Sequence, residues 1–324
     1  MAIRANAPAE HLCSAMPGGK PCTRAALQGK PYCAEHLGPL RGRKPRDARE
    51  FMEEWREAAE TAIGRRMRGE GPARDDHDPE LVKAVMPLAF PLYSMYWRCE
   101  VFGVENIPTE GPAILAANHS GTIPIDGAML KIATLKEHGR NPWLLAADLV
   151  FKIPLFRDIV RIAGNARADR SETVALLRRD ELIGVFPEGF KGIGKGWKKR
   201  YQLQRFGRGG FVEVAMEVGA PIIPVAIIGA EEAFPMIADL KTLARRFGLP
   251  YFPITPTFPL LGPLGAIPLP SKWLIIFGEP IPTAPFGPES VDDTQLVLEI
   301  TDQTRQAVQA LLVEYLPKRR SAFL

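Results

Sequence analysis

From about residue 81 to the C-terminus, short apolar runs alternate with stretches of helical spacing. Ala113–Ala117, Ile183–Phe186, Pro221–Ile228 and Leu274–Phe277 are nearly unbroken apolar runs of strand length, the pattern expected of strands covered on both faces. Helical spacing predicts helices over Ile125–Lys136, starting after Pro124, over Phe211–Glu217 and over residues 290–316. Strands interleaved with helices predict an α/β domain over 81–324. The chain shows no internal repeat.

Two other regions precede that domain. Residues 41–80 are highly charged, yet Phe51, Trp55, Ala58, Ala59, Ala62, Ile63 and Met67 recur at helical spacing. They predict one amphipathic helix with Asp47 as N-cap, Glu50 three residues later, and a stop at Gly69–Pro72. Its apolar stripe is expected against the main domain, with a lipid surface as the alternative. Residues 1–40 are rich in Gly, Pro and Cys and too short to build a core of their own.

Two uncharged segments stand out. Ala84–Tyr96 contains Pro87 and Pro91, and Leu249–Pro270 carries seven prolines, which exclude a regular helix there. Such segments suit either a buried irregular wall or a loop dipping into a membrane. No window approaches the ~20 apolar residues of a spanning helix. The N-terminus lacks the apolar stretch of a signal peptide, which points to a reducing, cytoplasmic compartment. Peripheral attachment to the inner face of the membrane is the expectation.

Charge adds one local feature. The net charge of +4 in 324 residues gives no global field that would favour nucleic acid. Between Lys191 and Arg208, however, seven basic residues occur with no acidic one. That block suits an anionic ligand or an anionic lipid surface, or it is a solvated basic face.

The candidate chemistry lies at the ends of predicted strands. After Ala117 the chain reads Asn118-His119-Ser120-Gly121-Thr122-Ile123-Pro124-Ile125-Asp126. Ligands of open α/β sheets bind beyond strand carboxyl ends, and Pro124 suits the start of a helix with Asp126 in its first turn. A His and an Asp so placed can pair, the Asp fixing the imidazole tautomer; a structural or capping His gives the same pattern. The second stretch is Val185-Phe-Pro-Glu-Gly-Phe-Lys191. There Glu188 and Gly189 can offer a carboxylate and open amides, and Lys191 a point charge. No G-x-S-x-G elbow is present, which disfavours a serine acyl-enzyme.

The ordered blocks NHSGTIPID, GNARADR, FPEGFK and APIIPV resemble those of the glycerolipid acyltransferase family, of lysophosphatidate acyltransferase type. The resemblance runs from about Gly103 to Pro282. It implies that family's fold, a mixed, largely parallel central sheet flanked by helices. It also implies transfer of a fatty acyl group from acyl-CoA or an acyl carrier protein to a glycerolipid hydroxyl at a membrane surface, with lysophosphatidate favoured as acceptor. The resemblance puts the general base on His119 and its partner on Asp126, and substrate contacts on Arg170, Glu188, Gly189 and Lys191. No cofactor is implied for catalysis. Two features depart from the family pattern: six residues separate His119 from Asp126 instead of four, and Lys191 stands where arginine is usual. The form HSGTIPID is closer to a branch related to diacylglycerol acyltransferases, which makes diacylglycerol or another lysophospholipid the alternative acceptor.

Cys13, Cys22, Cys33 and His36 form C-x8-C-x10-C-x2-H in the N-terminal segment. Thiolate and imidazole ligands in a coreless segment point to a structural zinc knuckle, against reduced cysteines in a tail. A rival function follows from it: a zinc-dependent tethering module joined to a lipid-binding domain without activity.

Overall fold

The computed structural model describes residues 77–323 except 124, 152–159, 162, 247 and 249, together with scattered positions between 53 and 68. The expected zinc ligands Cys13, Cys22, Cys33 and His36 therefore lie outside the described residues. Described positions between Glu53 and Met67 are helical, as expected. Met67, expected on the packed stripe, is 84% exposed.

The core is a seven-stranded sheet in the order β1-β9-β6-β2-β5-β3-β4. Its strands are β1 (Glu100–Phe102), β2 (Ala113–Ala117), β3 (Trp143–Ala146), β4 (Asn165–Arg167), β5 (Leu182–Val185), β6 (Ile222–Ile228) and β9 (Leu274–Phe277). Every neighbouring pair is parallel except β6 with β9, so the sheet is mixed and largely parallel, as expected. A separate two-stranded ribbon pairs β7 (Ala238–Asp239) with β8 (Pro253–Ile254).

The buried runs sort onto two faces with period two. On β2, Ala113, Leu115 and Ala117 meet one cluster while Ile114 and Ala116 meet another, and all five are fully buried. The first face is covered by α1 (Pro79–Pro91) and α2 (Ile125–Glu137), whose Met129, Leu130 and Ala133 pack on Leu115, Ile223 and Ile275. The second is covered by α3 (Arg170–Leu177), α4 (Gly210–Val218) and α5 (Thr294–Tyr315), through Leu177, Met216 and Ile300. Burying one such side chain stabilises by about 1.5–3 kcal/mol. Apolar cover on both faces is the reason these strands read as unbroken apolar runs rather than as alternating ones.

The uncharged segments resolve differently from each other. Ala84–Tyr96 is the second half of α1 running on into a π-turn at Leu92–Tyr96, with Tyr93 buried beside Trp97 in the first-face core. Of the segment Leu249–Pro270, residues 250–270 are described and are irregular, as the prolines require, apart from β8 and a 3-10 turn at Gly262–Ala266. Among the described residues no helix is long and apolar enough to cross a membrane.

Because β2, β5 and β6 lie side by side and parallel in the middle of the sheet, their carboxyl ends open onto one crevice. Three loops leave those ends: residues 118–123, residues 186–189 and the turn after Ile228.

Candidate active site

Asn118 extends the centre of the sheet by one more rung. Its side-chain oxygen accepts from the Ile227 N–H at 2.7 Å and its amide donates to the Ile227 carbonyl at 3.0 Å. The side chain thus does what a backbone peptide would do in the ladder, and it frees the main chain to turn away from β6. His119 leaves at that turn.

His119 Nδ1 lies 2.7 Å from Asp126 Oδ2. The same oxygen accepts from the Ser120 N–H at 2.9 Å, and Oδ1 accepts from the Gly127 N–H at 2.9 Å. Asp126 is fully buried in the first turn of α2, where N–H groups without intrahelical partners converge. With three N–H groups on its carboxylate, Asp126 fixes the imidazole as the Nδ1–H tautomer and leaves the Nε2 lone pair free. The His119 ring stacks on Phe186, centroids 4.3 Å apart and planes at 28°, so packing and hydrogen bonding agree on its orientation. The wider spacing between His119 and Asp126 does not prevent the pair from forming.

One glycine shapes the loop. Gly121 has φ +79, and a Cβ there would come 2.7 Å from the Ala230 carbonyl oxygen. Tyr251 anchors the far end, its hydroxyl donating to the Thr122 carbonyl at 2.6 Å. Burial, helped by the negative charge of Asp126, pushes that phenol up to about 12 and keeps it a donor.

Glu188 differs from the expectation that it faces a ligand. It is buried, with Oε1 accepting from the His119 N–H at 3.0 Å and Oε2 from the Gln204 N–H at 2.6 Å. Lys195 Nζ lies 3.3 Å from Oε2 and 3.4 Å from Glu231 Oε1. Glu188 is therefore a strut that holds the backbone of His119. Gly189 beside it adopts φ +55, ψ −148, a conformation open essentially to glycine alone. A Cβ there would meet nothing within 4 Å, so open space adjoins the loop at this point. Lys191 is exposed two residues on, in the short helix Phe190–Ile193.

Arg170 is not brought to this group. β4 stands three strands from β2, roughly 14 Å at the usual strand spacing. Its guanidinium is held at 2.7 Å by Glu213 and 2.8 Å by Glu217, both on α4, and is 49% exposed. The departure has a simple cause: α3 and α4 pack side by side on the second face, and their facing charges pair.

Sequence reasoning missed Lys195 as an individual residue, and with it a second buried network. Glu231 sits in that network with its carboxyl pushed up to about 7 by burial, an effect that Lys195 partly offsets. Its neighbour Glu232 accepts from the Tyr201 hydroxyl and from Arg319 at 2.6 Å. The only sequence signal for Lys195 was its place in the basic block, which does not distinguish a buried lysine from its exposed neighbours. Among the described residues no group of His, Cys, Asp and Glu could hold a metal ion.

A family model described as acyltransferase matches residues 98–228. An uncharacterized protein of Mycobacterium tuberculosis is 51% identical over 249 residues, 76% of this chain and 70% of that protein. The human protein named DGAT1/2-independent enzyme synthesizing storage lipids is 29% identical over 216 residues, 66% of this chain and 60% of that enzyme. Among solved structures, the 1-acyl-sn-glycerophosphate (LPA) acyltransferase PlsC of Thermotoga maritima aligns with a TM-score of 0.48 and 19% identity, over 72% of this chain and 79% of that one. The matched residues run from the start of β1 to the end of β6 and so enclose His119, Asp126 and Glu188; this part of the chain is an acyltransferase domain of that family.

Proposed function

We propose that the protein moves a fatty acyl group from the thioester of acyl-CoA or an acyl carrier protein to a hydroxyl of a glycerolipid, with His119 as general base. The pairing of His119 Nδ1 with Asp126 at 2.7 Å, at the carboxyl end of the sheet, carries this reading. Nε2 takes the proton of the acceptor hydroxyl as its oxygen attacks the thioester carbonyl. The tetrahedral intermediate then expels the thiolate, which recovers that proton from the imidazolium, and the buried Asp126 stabilises the charged ring meanwhile. His119→Ala is expected to lower kcat by about 10²–10⁴-fold, the usual worth of a general base, with its thermal melt unchanged. Near-normal turnover in the folded variant removes His119 from the mechanism.

The acceptor divides the reading. A lysophosphatidate acceptor draws support from exposed Lys191 beside the open space at Gly189, since a phosphate monoester needs cationic donors. The pairing of Arg170 with Glu213 and Glu217 favours diacylglycerol instead, because it takes the expected phosphate contact out of use. The storage-lipid role in the name of the human relative points the same way. Labelled acyl-CoA supplied with both acceptors at equal surface density separates them. Faster acylation of diacylglycerol, unchanged by Arg170→Ala, selects the neutral acceptor; a strong rise in KM for lysophosphatidate in Arg170→Ala selects the phosphate.

Attachment to the membrane is read as peripheral and on the inner face. Large apolar side chains stand exposed on segments hydrogen-bonded to the His119 loop and to one another, among them Met95, Ile237, Leu260 and Leu264.

A further inference from the structure

Lys195 is buried, its side chain 3% exposed, between two carboxylates that come from different strand ends. Lysine is almost never fully buried unless paired, and one of its two contacts, Glu188, bears on the His119 loop. Glu188 follows β5 and Glu231 follows β6, the two strands that flank β2 in the sheet. The ammonium thus bridges the neighbours of the strand that delivers His119. Glu188 Oε1 holds the His119 N–H, and Glu231 Oε1 holds the Tyr201 N–H at 2.9 Å.

We infer that Lys195 is a positioning residue for the catalytic loop: its charge keeps the Glu188 carboxylate seated on the His119 N–H and ties that seat to the far side of the crevice. The inference rests on the reading of His119 as the base. Two buried carboxylates that shared no cation would repel, and one of them would take up a proton or swing away. The charged groups around Lys195 leave it this task. Glu188 and Glu231 face it directly. Glu232 beside Glu231 is occupied by Arg319 and Tyr201. His119 and Asp126 satisfy each other across the loop. Among the described residues, Lys195 forms the ion pair of Glu188. Burial pushes Glu231 up to about 7, so near neutral pH the hold of Lys195 on Glu188 tightens as Glu231 takes up its proton.

The test uses the full chain in five forms: wild type, Lys195→Met, Glu188→Gln, Glu231→Gln, and Lys195→Met combined with Glu188→Gln. Lys195→Met is expected to lower kcat at least tenfold with the acceptor KM within twofold. It should also move the acid limb of the kcat profile to higher pH, because removing a cation eases protonation of the groups around it. Hydrogen exchange at the His119 amide should speed at least tenfold, since the acceptor of that N–H is released. In the Glu188→Gln background, adding Lys195→Met should change kcat less than twofold, because the path through Glu188 is already cut. A folded Lys195→Met protein with wild-type exchange at His119 and an unmoved acid limb overturns the inference. Should Lys195→Met fail to fold, Glu231→Gln decides. It keeps the cation and removes the competing carboxylate, so the acid limb should move to lower pH while His119 exchange stays slow, and an unmoved limb overturns the inference. The exchange experiment needs no turnover. If wild type transfers no acyl group while exchange responds as stated, the proposed function falls and the role of Lys195 in seating the loop stands.

Discussion

A Cβ placed on Gly192 would lie 2.7 Å from the His119 carbonyl oxygen and 2.9 Å from the His119 Cβ. Nothing at that distance is the far end of a flexible side chain, so the loop itself would have to move. Reacting groups displaced by about 1 Å cost on the order of 100-fold in rate. Gly192→Ala is therefore expected to lower kcat by about that factor, and the crowding to cost roughly 1–3 kcal/mol of stability. Turnover measured beside a denaturant melt checks both, and an alanine variant with normal kcat means that the loop has slack. That His119 and Asp126 can meet was legible in the sequence because both sit on one strand-to-helix turn, while the roles expected of them rested on the family resemblance. Glu188 was legible as a site residue and not as a strut, since its partner His119 lies 69 residues away and the sheet alone brings them together. Lys195 was illegible because nothing in the basic block marks which of its lysines is buried.

At the scale of elements, the central strands announced themselves. β2 and β9 fall on the predicted residues, and β6 begins one residue later than predicted, because each is apolar along its length. The outer strands did not: β1 and β4 have three residues each and carry Glu100, Asn165 and Arg167, too short and too polar to show a period. Nor could any pattern tell that β9 runs antiparallel to β6, since its faces are equally apolar either way. Arg170 belongs to this scale as well, its charge claimed by two glutamates on a neighbouring helix that sequence order puts more than forty residues on. The N-terminal segment lies outside the described elements, and its prediction stands on ligand chemistry. Three thiols and an imidazole in 24 residues without a core should bind about one zinc per chain. Metal analysis of freshly purified protein should find it, and the double substitution Cys22→Ser, Cys33→Ser should lose it. Acyl transfer is expected to survive that loss, because the His119–Asp126 pair needs no metal. Protein purified without zinc sinks the knuckle, and zinc-dependent turnover sinks its independence from the catalytic site.

For the whole molecule, the proposed acyl transfer requires a site that can reach an acceptor whose chains are buried in a bilayer. Met95, Ile237, Leu260, Leu264 and Ile267 are between 56 and 82% exposed. They sit on segments that are joined: Tyr96 donates to the Pro268 carbonyl at 2.6 Å, Ile237 donates to Ile254 at 2.8 Å, and Tyr251 reaches the His119 loop at Thr122. Basic residues adjoin them, with Lys191 next to exposed Phe190 and Lys241, Arg245 and Arg246 following β7. Apolar side chains that enter the headgroup region gain the burial they lack in water, and the cations gain from anionic lipid. These two contributions respond differently to salt, since charge pairing is screened over about 10 Å at 0.1 M while apolar insertion is not. Flotation with anionic liposomes is therefore expected to recover the protein at low salt, and to recover less, though not none, at high salt. Leu260→Glu combined with Leu264→Glu should abolish the salt-resistant part and leave the melt unchanged, because both side chains already face solvent. A wild-type protein that stays off the liposomes at low salt denies the apolar rim and the basic residues alike a part in docking, and substrate must then reach His119 by another route.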